Sequence, residues 1–193
     1  MMLKILALPM AIVIVAGCSS GASDGAINYK PFNAPPISTK LKDKYLKGIN
    51  DTRSVGRKCG DHGYYRPASP LVWNDNLYRS SYEHSWDLLK SNTLSHNGSG
   101  TSSDWSARVL RLSVGSTPQD RGENNGYGRS VGENIYVAKG GHLDIEDAIE
   151  WWLQSDDHCR NLMSRDYKAI GIAKVNGNSD SRWDVYWTGN FGI

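Results

Sequence analysis

The chain has 193 residues, with 22 Lys and Arg against 20 Asp and Glu, and a formal net charge of +2 at neutral pH. This near balance, with basic residues concentrated in only one short stretch, argues against nucleic acid as a partner. Seven Trp and ten Tyr supply the core of an ordinary domain and exclude a disordered chain.

At the N-terminus Lys4 precedes an apolar run from Ile5 to Ala16, closed by Gly17-Cys18-Ser19-Ser20. A spanning helix needs about 20 apolar residues, so this shorter run reads as a secretory signal. Val15-Ala16-Gly17-Cys18 resembles the lipobox of bacterial lipoproteins. The resemblance implies removal of residues 1–17, acylation of Cys18 (palmitate among the chains), and an extracytoplasmic domain tethered to a membrane. The anchoring membrane is the cell membrane or an outer membrane; Ser19, by the sorting rule for such proteins, hints at onward transport to the outer one. Stable anchoring takes more than one acyl chain, at about 0.8 kcal/mol per buried CH₂. Residues 18–37, rich in Ser and Gly and then in Pro, read as a flexible tether.

With Cys18 taken by lipid, Cys59 and Cys159 remain, an even pair in an oxidising compartment. A disulfide is the simpler reading; a catalytic thiol at Cys159 beside His158 is the competing one.

Residues 38–193 form one domain's worth of chain. Ser38 or Thr39 caps a first helix running to about Cys59, with Leu41, Tyr45, Ile49 and Val55 on one side. Residues 40–58 hold seven Lys or Arg against Asp43 and Asp51. This is a solvated helix face, or alternatively a contact for anionic headgroups. Gly60–Pro70 is turn-rich. Asn74 or Asp75 opens a second helix with Leu77, Ser81, Ser85 and Leu88 at helical spacing, ending at Asn92. A short helix over 104–112 precedes a Gly-rich polar loop, 115–128, expected to be irregular. Val131–Val137 reads as a strand, and Asp144 with Asp147 as a capping box opening a helix through Trp152. Ile170–Val175 and Trp183–Phe191 read as strands joined through Asn176-Gly177-Asn178. The pattern is that of an α+β layered domain.

Three residues carry the chemistry. Glu133 is an acid on a strand between apolar positions, costly to bury unless paired. His96 lies in a loop of small residues after the second helix, and His158 precedes Cys159. His84, on the helix, reads as packing or surface. Leu94-Ser95-His96-Asn97-Gly98-Ser99-Gly100 resembles the first histidine motif of CAP (SCP-like) domains, relatives of cysteine-rich secretory, antigen 5 and pathogenesis-related proteins. Gly132-Glu133-Asn134-Ile135 and Trp152-Leu153-Gln154-Ser155-Asp156-Asp157-His158 resemble two further motifs, and Tyr186-Trp187-x-x-Asn190-Phe191-Gly192 closes the match.

The resemblance implies a three-layer α-β-α sandwich with a cleft containing His96, Glu133 and His158, which in relatives can hold a divalent metal, Zn²⁺ or Mg²⁺. The fourth ligand of that pattern is a Glu and stands here as Ser155, a neutral hydroxyl. Two imidazoles and a carboxylate suit Zn²⁺ with one position open. Glu150 compensates only if the fold brings it round. The alternative is that Glu133 and the histidines hydrogen-bond one another and the backbone.

Two functions follow. The first is a non-catalytic module binding lipid, glycan or protein in the envelope. The second is an extracytoplasmic hydrolase, metal-assisted or serine-type, with Glu133, His158 and Ser155 as its catalytic candidates. The missing fourth ligand and the lack of any nucleophile elbow favour the first.

Overall fold

The computed structural model describes residues 28–193; the signal segment and Cys18 lie outside the described residues. In chain order the elements begin with α1 (Thr39–Arg53), then β1 (Arg57–Lys58) and β2 (Tyr64–Tyr65) around a 3-10 turn at Gly60–His62. There follow β3 (Val72–Trp73), α2 (Asp75–Ser91), α3 (Trp105–Leu110) and α4 (Pro118–Asn124). The chain closes with β4 (Val131–Ala138), α5 (Ile145–Gln154), α6 (Asp156–Met163), β5 (Ala169–Asn176) and β6 (Val185–Gly192).

The main sheet has the order β3-β5-β6-β4, antiparallel except for the short β3–β5 pair. Every residue of β6 is buried, because helices cover both faces of the sheet. The period of two in a strand sorts its side chains between them. Val185, Trp187 and Phe191 join Tyr45 and Ile49 of α1 and Ile149 and Trp152 of α5 in the main core. Tyr186 instead packs with Leu88 of α2, Ser85 hydrogen-bonds Thr188, and Ser81 reaches the Asn190 backbone. These are the three layers of an α-β-α sandwich. A side chain at Gly171 of β5 would collide with the backbone of Leu77 and Tyr78, so this glycine sets how closely α2 lies on the sheet.

Several elements differ from the sequence reading. The first helix stops at Arg53, not near Cys59: Ser54 caps it, and Gly56 leads into the β1–β2 hairpin. Val55 is 58% exposed and Leu41 is 38% exposed, so neither joins Tyr45 and Ile49 in the core. Arg53 is buried instead, donating to the carbonyls of Ser69, Leu162 and Ser164. The loop expected to be irregular contains α4, opened by a capping box between Thr117 and Asp120 with Pro118 inside the first turn.

Residues 28–37, expected to belong to a flexible tether, lie packed as a strap on the domain. The Lys30 and Phe32 amides donate to Asn124 and Asn125, and Trp105 donates back to the Lys30 carbonyl at 2.7 Å. Phe32 stacks near Tyr82 and edge-on to Trp105, and Tyr78 donates to the Pro35 carbonyl. Three prolines lower the entropy lost in fixing the strap, so a few anchors suffice.

The expected disulfide joins Cys59 to Cys159, with the Cα atoms 5.4 Å apart across 100 residues of chain. It ties the β1–β2 hairpin to α6. A double substitution of both cysteines by Ala should lower unfolding stability by about 4–5 kcal/mol in urea titrations, on the loop-closure account. A loss under about 1 kcal/mol would show that the bridge constrains the unfolded chain little.

Candidate functional site

The site forms at β4, the edge strand, where the two helical layers meet. Alternation along β4 turns Glu133 and Ile135 toward α2 and Asn134 and Tyr136 toward α5 and α6. Glu133 is 5% exposed, and such a carboxylate is tolerated only with close partners. Arg121 of α4 supplies the charge, donating from its guanidinium to Oε2 at 2.7 Å. With the Asn190 amide turned so that its nitrogen faces the acid, it donates to the same oxygen at 3.0 Å, and its own oxygen accepts from Ser80. At Oε1, His96 Nδ1 lies at 3.0 Å and His84 Nε2 at 3.5 Å. An ionised carboxylate only accepts, so His96 carries its proton on Nδ1.

The electrostatics follow from this wiring. Burial alone would raise the Glu133 pKa, but Arg121, with His84 and His96, outweighs burial and holds it well below the usual carboxylate range. His84 is pushed down to about 4 by burial and by Arg121. It is therefore neutral at pH 7 and donates from Nε2 to the Ser95 carbonyl at 2.9 Å. His158 is also lowered, by burial and then by the neighbouring His96. The buried Glu83 of α2 is raised by burial to about 7, although Ser106 and Asn125 donate to it.

Each side chain is held by its own local structure. The His96 loop is pinned from below: Asp87 accepts from the Ser99 amide and from the hydroxyls of Ser99 and Ser103. Asp104 accepts from the amides of Gly100 and Ser116. Arg121 also donates to the His96 carbonyl at 2.9 Å, so one guanidinium fixes both the loop and the acid.

His158 sits in α6, whose first turn is tied to the Gly60–His62 turn. The Asp61 amide donates to Asp156, His62 Nε2 lies 2.8 Å from Asp157, and the disulfide follows at Cys159. Asn134 donates to the His158 carbonyl from the opposite face of β4. The His96 and His158 rings stand 5.9 Å apart, centre to centre, and His158 lies 5.3 Å from Trp151. His158 Nδ1 is buried without a hydrogen-bond partner among the described residues.

The structure thus brings His96, Glu133 and His158 into one cluster, but Ser155 and Glu150 play no part in it. Ser155 occupies an extended break (φ −103°, ψ 125°) that ends α5 and starts α6. The continuous helix that would set Ser155 facing His158 does not exist, and no hydrogen bond joins them among the described residues. Glu150 is exposed and lines a separate groove. As a metal centre the donor set fits poorly. Both Glu133 oxygens are engaged and its charge is met by Arg121, which leaves two imidazoles. Among the described residues no group of three or more His, Cys, Asp or Glu is placed to hold a metal ion.

The fold and the order of these motifs decide the family. A profile of the cysteine-rich secretory protein family, CAP, matches residues 46–191. The chain belongs to the CAP family.

The CAP domain is similar in structure to an extracellular protein containing an SCP domain from Bacillus anthracis. That match has 22% identity and a TM-score of 0.51, covering 82% of this chain and 45% of that one. It is also similar to an outer surface protein of Borrelia burgdorferi, at 20% identity and a TM-score of 0.55, covering 81% and 95% of the two chains. The chain therefore spans less than half of the Bacillus chain, and likenesses this distant speak for the fold alone. A comparison with curated proteins finds no significant sequence match.

Sequence reasoning missed Arg121, read His84 only as packing or surface, and quoted Asn190 only within the closing motif, without its contact to Glu133. The capping box at Thr117–Asp120 was the available signal for α4 and hence for Arg121. In the CAP domain Arg121 is the counter-charge of a buried acid, which gives a stability prediction. Arg121→Met should cost about 3–5 kcal/mol in chemical denaturation by leaving Glu133 uncompensated. Adding Glu133→Leu should restore most of the loss, and an unchanged midpoint in the single variant would contradict the pairing.

Proposed function

We propose that this protein is an extracytoplasmic CAP-domain binding module, tethered by lipid at Cys18, whose cleft holds an envelope ligand without transforming it. The observation that carries this reading is the commitment of Glu133. Both oxygens of this carboxylate accept hydrogen bonds, Oε2 from Arg121 and Asn190 and Oε1 from His96, and the Arg121 charge holds the group ionised and weakly basic. His158 lacks a nucleophile: Ser155 lies at the helix break, and Cys159 is consumed in the disulfide. What the cleft offers is two imidazoles, His158 half-buried and His96 exposed, beside the Trp151 ring; this is a contact surface for lipid, glycan or protein.

The disulfide and the signal segment with its lipobox-like Val15–Cys18 support an extracytoplasmic site for the domain. Lys30 of the strap is hydrogen-bonded to Trp105 of α3 and Asn124 of α4, so a tether leading back to Cys18 would approach the domain from that side. Headgroup contact through α1 finds less support. Lys42, Lys44 and Lys47 are each paired with an acid, Asp75, Glu146 and Asp51, so little free positive charge faces outward.

A hydrolase is the second reading, favoured by one observation, the unpartnered Nδ1 of His158 beside His96. The two readings part in one experiment on the full chain. Peptide, ester and glycoside reporters are screened with and without Zn²⁺ or Mg²⁺, alongside calorimetric metal titration. The binding module should show no turnover above that of His158→Ala, and no saturable one-per-chain metal binding in the micromolar range. Turnover lost in a folded His158→Ala variant would establish the hydrolase, as would metal binding lost in both His96→Ala and His158→Ala.

A further inference from the structure

The Trp151-Trp152 pair of α5 splits between two environments. Trp152 is fully buried, whereas Trp151 is 43% exposed. An exposed Trp alone means little, but this one has an organised setting. Asp147, Glu150, Trp151 and Gln154 fall at i, i+3, i+4 and i+7, one stripe of α5. That stripe is walled by Tyr136 and His142 into a groove of about 230 Å³. The wall is fixed: His142 holds a left-handed backbone (φ 57°), its Nδ1 lies 3.1 Å from Asp147, and Tyr136 donates to its carbonyl at 3.2 Å. Glu150 and Gln154 make no hydrogen bond or ion pair among the described residues, so their polar ends stand at the rim without protein partners.

Trp151 also connects the groove to the cleft. Its ring centre is 5.6 Å from Tyr136 and 5.3 Å from His158, and His158 is 5.9 Å from His96. Four rings thus run in a row from the groove into the cleft.

The chemistry of this surface selects among ligands. An indole face is electron-rich and its edge is not. The C–H bonds on one side of a pyranose ring are weakly positive and lie flat, so they stack on such a face. The sugar's hydroxyl or amide groups then project in the ring plane, where Glu150 and Gln154 can accept and donate. An acyl chain would cover those polar groups without replacing their water, at a cost. The groove is also smaller than the roughly 300–1,000 Å³ of sites that enclose a small molecule, so one ring laid flat suits it better than a buried tail. Asp147 and Glu150 oppose an anionic ligand through like charge.

We propose that the Trp151 groove is a carbohydrate subsite for a neutral hexose or N-acetylhexosamine ring, and that the row of rings through His158 to His96 carries the rest of a glycan chain into the cleft. The inference rests on the binding-module reading and names its ligand class.

The test titrates the full chain with N-acetylglucosamine oligomers of increasing length by calorimetry, with phospholipid vesicles and a fatty acid as parallel probes. Saturable oligomer binding is expected, tightening as rings are added and weakening about tenfold or more in Trp151→Ala, which is about 1.4 kcal/mol. Gln154→Ala should weaken it less, and both variants should unfold at the wild-type midpoint because neither residue lies in the core. Oligomer binding unchanged in Trp151→Ala would overturn the subsite. Binding of vesicles or fatty acid but not sugar, lost in His158→Ala, would overturn the glycan assignment while leaving the binding module standing. No binding by any of these probes, with reporter turnover lost in His158→Ala, would overturn both.

Discussion

The structure turns on one buried charge. Glu133 lies on an edge strand with almost no solvent access, and removing an unpaired carboxylate from water costs several kcal/mol. Arg121 meets that charge from α4, a helix in contact with α2, α3 and β4. Because the same guanidinium holds the His96 carbonyl and the Ser116 carbonyl, the acid, the histidine loop and α4 are one mechanical unit. The inner face of α2 is correspondingly polar: Ser80, Ser81, Glu83, His84, Ser85 and Asp87 are all buried. It closes on the sheet by hydrogen bonds as much as by apolar contact.

That polar face explains what could be read from the sequence. The strands were legible because β4, β5 and β6 are long and rich in apolar and aromatic residues. The cleft residues His96, Glu133 and His158 were legible because they sit in recognisable motifs. The apolar period of α2 identified the helix but not its role, since Leu77 and Leu88 follow the helical spacing while His84 and Glu83 break the hydrophobic pattern from within the buried face. Arg121 was hidden in a stretch whose Gly and Asn suggested a loop, although Thr117-Pro118-Gln119-Asp120 carries the start signals of a helix. The helix expected through Trp152 does end nearby, at Gln154, but α6 was not read, because nothing in Gln154-Ser155-Asp156 marks where the chain must break and restart. Tertiary anchors decide it, because the disulfide and the Asp156 and His62 contacts pull the first turn of α6 toward the Gly60–His62 turn.

These constraints also shape the function. Arg121 holds Glu133 ionised, and the two imidazoles near it, His96 and His158, stay partly exposed. The residues that define the family motif are thus hydrogen-bonded to one another and to neighbouring side chains and backbone. The surface that leads away from it, through Trp151, has the loose polar rim that the cleft interior lacks. Meanwhile the strap of residues 28–37 is hydrogen-bonded to Asn124 and Asn125, at the end of the helix that carries Arg121. The N-terminal strap and the charged centre are thus joined through one short helix.

The central claim, that burial and the Arg121–Glu133 pair together set the states of the surrounding histidines, is tested most directly by following their ring nitrogens with pH by NMR. The account predicts that His84 stays neutral until about pH 4, that His96 carries its proton on Nδ1 when neutral, and that His96 loses this preference in Glu133→Gln. A His84 that titrates near the ordinary value of about 6.5, or a His96 tautomer indifferent to Glu133, would contradict it.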